Sequence, residues 1–180
     1  MKICGGEFKG RAIKTPKGDK IRPTTDKLRE AMFSSLGGEV AGSAVIDLFC
    51  GSGALGLEAI SRGAERAIFV DESRQAVNAL KENIEKLKIW PRVKVFNMNV
   101  FKLKPSQIPD YGIIFADPPY RMGHLDRLIA FLSLPNWNWN GIMVLEHEAE
   151  WKLIGGNLEL LRRLDSGDSA VSIFFKRKKA

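Results

Sequence analysis

From residue 43 onward, short apolar runs alternate with longer stretches whose apolar residues recur every three or four positions. "SAVIDLF", "RAIFVD", "RVKVFNM", "YGIIFA" and "GIMVLEH" read as strands. "ALGLEAISRG", "SRQAVNALKENIEKL" and "GHLDRLIAFLSL" read as helices between them. Strands alternating with helices of this length predict an α/β fold with a parallel sheet covered on both faces. The end of the chain breaks the alternation. "NLELLRRLD" and "AVSIFFKRK" are joined by "SGDS", which leaves no room for a helix, so an antiparallel hairpin closes a mostly parallel, seven-stranded, Rossmann-like sheet.

The beginning differs again. "KICGGEFKGRAIKTP" alternates and is punctuated by Gly5, Gly6 and Gly10, which suggests a small β-hairpin. After "RPTT", the stretch "DKLREAMFSSLG" predicts a helix with Leu28, Ala31, Met32, Ser35 and Leu36 on one face. Gly37-Gly38 ends it, and Thr24 or Thr25 is its expected N-cap. No repeat or low-complexity linker interrupts the 180 residues. The expectation is a single domain over 1–180, with residues 1–40 a basic hairpin-and-helix extension and 41–180 the catalytic core.

Charge adds to that picture through its placement. Residues 1–30 carry nine Lys/Arg against four acids, and "KRKK" at 176–179 adds four more bases, while the stretch between them is close to neutral. Basic ends on a near-neutral core suit a polyanionic partner, although a solvated basic face has the same composition. Cys4 and Cys50 are far apart and match neither a disulfide framework nor zinc spacing. The opening "MKICGGEFKG" lacks the apolar stretch of a signal peptide, and no apolar run approaches membrane length. A reducing cytoplasm and no membrane partner are the expectation. His124 and His147 are too few for a metal site, so no metal is expected, and His147 in "EHE" reads as a strand-end residue rather than a base.

The first strand runs into "DLFCGSGALG", where Gly51, Gly53 and Gly56 match G-x-G-x-x-G. Such a loop lets a ligand approach the backbone at a helix N-terminus. An NAD enzyme would place a pyrophosphate there. Asp47, directly before the loop, would repel a pyrophosphate and attract the cationic amino-acid portion of S-adenosyl-L-methionine. Asp71, ending "FVD", can accept hydrogen bonds from ribose hydroxyls in either cofactor class. Asn99 could meet an adenine amino group and the Val100 backbone its ring nitrogen. Singly, each acid also suits a helix N-cap or a strand-end turn. Together these residues sit at three successive strand ends, on the edge where such sheets bind ligands.

The fourth strand delivers "DPPY" to the same edge. A nucleobase exocyclic amine is a poor nucleophile because its lone pair is delocalised into the ring. Asp117 and the Pro118 carbonyl can accept its two N–H groups, localise the lone pair and aim it, while the prolines fix the geometry. Tyr120 can stack on a base that has left its helix.

These residues resemble the class I S-adenosylmethionine-dependent methyltransferases that modify exocyclic amines, marked by Asp, Asn or Ser before Pro-Pro and an aromatic. The N-terminal stretch narrows the resemblance. "GGEFKGRAIKTPKGDKIRPTTDKLREAMFSSL" is similar to the opening of the RsmD family, the bacterial 16S ribosomal RNA guanine-N2 methyltransferases. The matching positions include Gly6, Gly10, Arg11, Pro16, Arg22, Pro23, Thr24, Asp26, Arg29, Glu30, Ala31 and Phe33. Lys27, Ile13, Cys50 and "SGDS" depart from the family's usual residues. The resemblance implies methylation of one guanine, position 966 in conventional 16S numbering, on the small ribosomal subunit or its assembly intermediate, and a monomer is the expectation for the chain. It also implies RNA contacts by Lys9, Arg11, Lys14, Arg22 and Arg29, with Arg22 alternatively holding the cofactor.

Other readings stay in view. A DNA adenine-N6 methyltransferase shares "DPPY" but usually carries a target-recognition domain for which this chain has no spare segment. A glutamine-modifying enzyme typically has Asn at the place of Asp117. A noncatalytic RNA-binding protein would not need the glycine loop with Asp117 and Tyr120. Trp137, Trp139 and Trp151 fit packing around the last strands better than RNA stacking.

Overall fold

Residues 1–16, 26–109, 111–119, 123–134, 137, 139–153 and 157–176 are described by the computed structural model, and Thr24, Thr25, Arg22 and Tyr120 lie outside them. The strands are β1 (Ala44–Leu48), β2 (Arg66–Asp71), β3 (Val93–Asn97), β4 (Tyr111–Ala116), β5 (Asn140–Glu148), β6 (Leu158–Ser166) and β7 (Ser169–Lys176). The helices are α1 (Asp26–Leu36), α2 (Ala54–Ser61), α3 (Arg74–Leu87) and α4 (His124–Leu132). All seven strands form one sheet in the order β3-β2-β1-β4-β5-β7-β6. The first five are parallel, and β7 pairs antiparallel with both β5 and β6, as the hairpin reading expects.

Side chains alternate across a strand, so each strand feeds two cores. Val45, Ile113, Phe115, Ile142 and Val144 pack with Leu28, Met32, Phe33 and Leu36 of α1, with Leu57 and Ile60 of α2, and with Leu80 and Ile84 of α3. Ile46, Leu48, Ile114, Met143 and Leu145 pack on the other face with Leu125, Leu128 and Leu132 of α4 and with Trp137 and Trp139. The two tryptophans are thus packing residues. Ser73 caps α3 by accepting the Ala76 N–H, which fixes where that helix starts at the end of β2.

The face of α1 differs from the one expected. Leu28, Met32 and Leu36 are buried, but Arg29 and Phe33 complete the stripe, and Ala31 is exposed. Phe33 meets Phe115 with ring centroids 5.5 Å apart, so the large aromatic turns inward and rotates the helix.

The N-terminal residues form a hairpin held by one bridge, Lys2 to Ala12, with Ile3 and Ile13 buried beneath it. It is fastened to α2. The Cys4 and Gly5 amides donate to the Glu58 carboxylate at 2.7 and 2.8 Å. The Phe8 amide donates to Ser61 Oγ, which itself donates to the Gly5 carbonyl.

Candidate active site at the carboxyl edge of the sheet

Strand register places the acids. Asp47 is level with Phe69, and Phe115 with Asp47 across β1 and β4. The chain leaves β1 after Leu48, and Phe49 takes the left-handed φ of 59°, an uncommon conformation for a large side chain. Asp71 continues its strand for one further residue, and Asp117 follows β4 at the same level. A notch therefore opens above Asp47, flanked by Asp71 and Asp117. Period two puts Asp47, Asp71 and Asp117 on the sheet face covered by α1 and α2.

Asp47 forms the floor. It is 2% exposed, and its Oδ2 accepts the Gly56 N–H at 2.8 Å, so the first turn of α2 holds it in place. Burial pushes its carboxyl up to about 7; the Gly56 hydrogen bond opposes the rise and the Asp71 charge adds to it. Asp71 accepts the Gly51 N–H on Oδ2 and the Ser73 N–H on Oδ1, each at 2.8 Å. Each carboxylate oxygen keeps a second lone pair for a hydroxyl. The acid thus ties the glycine loop to the end of β2 and stays competent to bind a ribose.

The glycines divide the work. Gly51, at φ 54°, has open space where a Cβ would point, so a ligand can approach its backbone. At Gly53, φ 83°, a Cβ would lie 2.4 Å from Leu80 Cδ1. That position also serves helix packing, since a side chain there would meet Leu80. Asn99 accepts the Phe101 N–H on Oδ1 at 3.0 Å and donates to Glu72 at 2.6 Å, holding the turn that carries Val100. Its oxygen retains one lone pair for an adenine amine.

Asp117 stands at the lip. Burial first, then the charges of Glu146 and Asp47, push its carboxyl up to about 8, well above the ordinary carboxylate range. Pro118 behind it is buried and Pro119 exposed. Glu146 was not singled out from sequence, although alternation along "GIMVLEH" already puts it on the buried face with Ile142 and Val144. Among the described residues no group of three or more His, Cys, Asp or Glu side chains is placed to hold a metal ion.

The basic candidates separate. Lys9 and Arg11 are exposed on the hairpin. Lys14 is half-exposed and bonds Glu82 of α3 at 2.6 Å, and the hairpin's end is pinned there by mutual hydrogen bonds between the Lys14 backbone and Asn83. Arg22 lies outside the described residues. Arg29 contradicts its expected RNA role: it is 0% exposed, and its Nη2 donates to the Lys2 carbonyl at 2.5 Å and to Asp26 at 2.8 Å, while its Nε is 3.6 Å from Glu58. Glu58 was also missed in the sequence. It gathers Arg29, Arg62 and two hairpin amides into a buried network, and only contacts across 29 and 54 residues reveal it.

His147 is fully buried, with Nε2 2.8 Å from Ser172 Oγ and Nδ1 2.8 Å from the Glu148 carbonyl, and burial lowers its pKa. It belongs to the strand network rather than to the notch. No helix among the described residues is long and apolar enough to cross a membrane.

Comparison with known proteins extends over the whole chain. The model of the family described as "Conserved hypothetical protein 95" matches residues 1–175. The chain is 35% identical to "Putative rRNA methyltransferase YlbH" of Bacillus subtilis, covering 98% of this chain and 100% of that one. It is 33% identical to "Ribosomal RNA small subunit methyltransferase D" of Escherichia coli, covering 97% and 89%. The solved structure "Putative methyltransferase yhhF from Escherichia coli" superposes with a TM-score of 0.87 at 31% identity, covering 99% of both chains.

Proposed function

Since the chain belongs to the Conserved hypothetical protein 95 family, the RsmD family, we propose that it transfers a methyl group from S-adenosylmethionine to the N2 amine of one guanine in the 16S RNA of the small ribosomal subunit. The observation that carries this reading is the placement of Asp117 on the lip of a notch whose other wall is Asp71 and whose floor is Asp47. Position 966 is the expected target.

The notch residues fit the cofactor. A buried acid beside an open glycine backbone suits a cationic amino group and would repel a pyrophosphate. Asp47 and Gly51 would hold the amino-acid end, Asp71 the ribose hydroxyls, and Asn99 with the Val100 backbone the adenine. When bound, S-adenosylmethionine supplies an electrophilic methyl group on a sulfonium. Asp117 and the Pro118 carbonyl accept the two amine N–H groups and localise the nitrogen lone pair toward that methyl. Tyr120 stacks on the extruded base. Once the C–N bond has formed, the nitrogen carries an acidic proton, and Asp117 is the acceptor in place to take it. Burial and the Glu146 and Asp47 charges raise the Asp117 carboxyl to about 8, which makes it the stronger base once it is ionised.

Lys9 and Arg11 on the exposed hairpin would contact RNA phosphates, with Lys14 exchanging Glu82 for a phosphate. The protein would act as a monomer in the cytoplasm on a partly assembled subunit, with the N-terminal extension and the core as one catalytic domain. The test is transfer from labelled S-adenosylmethionine to unmethylated small subunits, free 16S RNA and duplex DNA, followed by nucleoside mass spectrometry. N2-methylguanosine in subunit RNA is expected. N6-methyladenosine, or methylation of DNA, would overturn the assignment.

A further inference from the structure

The core on the face away from α1 and α2 carries an aromatic run up to the carboxyl edge of the sheet. Phe49, where the chain leaves β1, meets Phe101 with ring centroids 6.4 Å apart. Phe101 meets Phe131 of α4 at 5.6 Å, and Phe131 meets Trp137 at 5.0 Å. Phe101 belongs to the 3₁₀ turn Val100–Lys102, directly after Asn99. It therefore sits beside the notch, in contact with the exit of β1 and with α4.

Arg127, in the first turn of α4, covers this run. Its guanidinium carbon lies 4.0 Å from the Phe101 ring centroid, and the residue is exposed. A planar guanidinium laid on a ring keeps its outer face and N–H edge for a further partner. The protein supplies none. Among the described residues Arg127 and the exposed Lys102 and Lys104 make no ion pair. Asp126, beside Arg127 in sequence, instead accepts the Trp151 Nε1–H at 3.2 Å, and Glu72 accepts from the Asn99 amide. A cation in the first turn of a helix also faces the positive end of its dipole, so helix stability is no reason for Arg127. Three exposed cations without acid partners thus occur on the Phe101 loop and on the helical turn stacked against it.

We propose that this rim is a second RNA-backbone contact, in which Arg127, Lys102 and Lys104 bind phosphates on the side of the notch opposite the N-terminal hairpin. The inference rests on an RNA substrate being methylated at the notch. Ile3 and Ile13 of the hairpin belong to the core on the α1 and α2 face, whereas Phe49, Phe101 and Phe131 pack against the other core. RNA held on both faces must cross the carboxyl edge between them, where Asp117 stands. The target base is then extruded from the middle of a clamped strand rather than from a free end. Phosphate contacts fix register and carry no base preference, so the rim positions the RNA while Asp117 and Pro118 address the amine.

In the experiment the full-length enzyme, with S-adenosylhomocysteine bound, is titrated into unmethylated small subunits between about 50 and 200 mM salt. Arg127→Ala is expected to lower the salt slope of log Kd by roughly 0.7–0.9, and the triple variant R127A/K102A/K104A by roughly 2–3, as one and three phosphates lose their cations. Arg127→Lys keeps the charge and should keep most of the slope. Affinity of the free enzyme for S-adenosylhomocysteine, read by calorimetry, should stay near wild type. A triple variant whose slope is unchanged while cofactor affinity falls overturns the inference, because these residues would then serve the cofactor. Should the triple variant not fold, Lys102→Glu alone must still lower the slope, and an unchanged slope overturns the inference. Wild-type enzyme that methylates guanine N2 while the triple variant keeps the full slope overturns this inference alone. Wild-type enzyme that neither binds nor methylates small subunits overturns the proposed function, and this inference with it.

Discussion

Arg29→Ala separates a structural role from an RNA-binding role at a residue whose sequence context suggests the latter. In the fold its side chain is wholly enclosed, bonded to the Lys2 carbonyl and Asp26 and close to Glu58. Removing one member of a buried ion pair costs about 3–5 kcal/mol when the partner is left uncompensated. Here Glu58 keeps Arg62 at 2.7 Å and the amides of Cys4 and Gly5, so the loss should fall at the lower end, about 3 kcal/mol. For a chain of this size that corresponds to a fall in Tm of about 6–12 °C. Thermal unfolding by circular dichroism gives the shift, and RNA affinity measured well below the transition, as a function of salt, gives the other half. The expected result is a large loss of Tm with Kd and salt slope unchanged. A Tm within about 2 °C of wild type, together with a salt slope lower by about 0.7, would return Arg29 to the RNA surface and refute the buried-network account.

Asp117→Ala should lower kcat by roughly 10²-fold or more while cofactor affinity, measured by calorimetry, stays near wild type. The free-enzyme pH profile of kcat/KM should rise toward a plateau above about 8, because the ionised Asp117 is the acceptor; a profile flat from pH 6 to 9 would contradict it. Stability should move in the opposite sense. Asp47 and Asp117 hold protons in the folded state that the unfolded chain releases near pH 4, so each contributes stability below its unfolded pKa that is lost as pH rises through about 7 and 8, and Asp117→Asn should flatten the decline of Tm over that window. Gly51→Ala should weaken cofactor binding with a modest stability cost, since only the left-handed backbone objects, whereas Gly56→Ala should lower Tm through the 2.3 Å approach of its Cβ to the Phe69 ring; similar melting curves for the two would refute the distinction. Lys9→Ala with Arg11→Ala should reduce the salt slope of RNA binding by roughly 0.7–0.9 per lost phosphate contact, and an unchanged slope would place the RNA elsewhere.

The sheet was legible because its strands are short, apolar and separated by helices whose periodicity differs from theirs; β2 spans the same residues as the quoted "RAIFVD". Asp47, Asp71 and Asp117 were legible because each ends such a strand, and strand ends converge on one edge whatever the details of packing. The inward face of α1 was not. Arg29 sits where a pattern of apolar residues gives no reason to turn an Arg inward, and its compensation comes from Glu58 on another helix and from a hairpin carbonyl. Glu146 escaped for the converse reason: "EHE" draws attention to its histidine, while the alternation that buries the first glutamate is visible only when Ile142 and Val144 are counted back from it. Gly53 carries a packing demand that the glycine pattern does not display, since Leu80 occupies the space its side chain would need.

The strand order at the far edge bears on how the chain is made. β6 precedes β7 in synthesis, yet β7 lies between β5 and β6, so β6 has no place in the sheet until its successor has been translated. A nascent chain that pauses after Ser166 would present the unpaired edge of β5, whose inner residues Val144 and Leu145 are apolar, beside an unattached β6 carrying exposed Leu160 and Leu161. Such an open edge is a template for pairing between neighbouring chains on a polysome. The two-residue turn at Gly167-Asp168 shortens that vulnerable interval, because β7 can fold back on β6 locally and the two strands then join the sheet together.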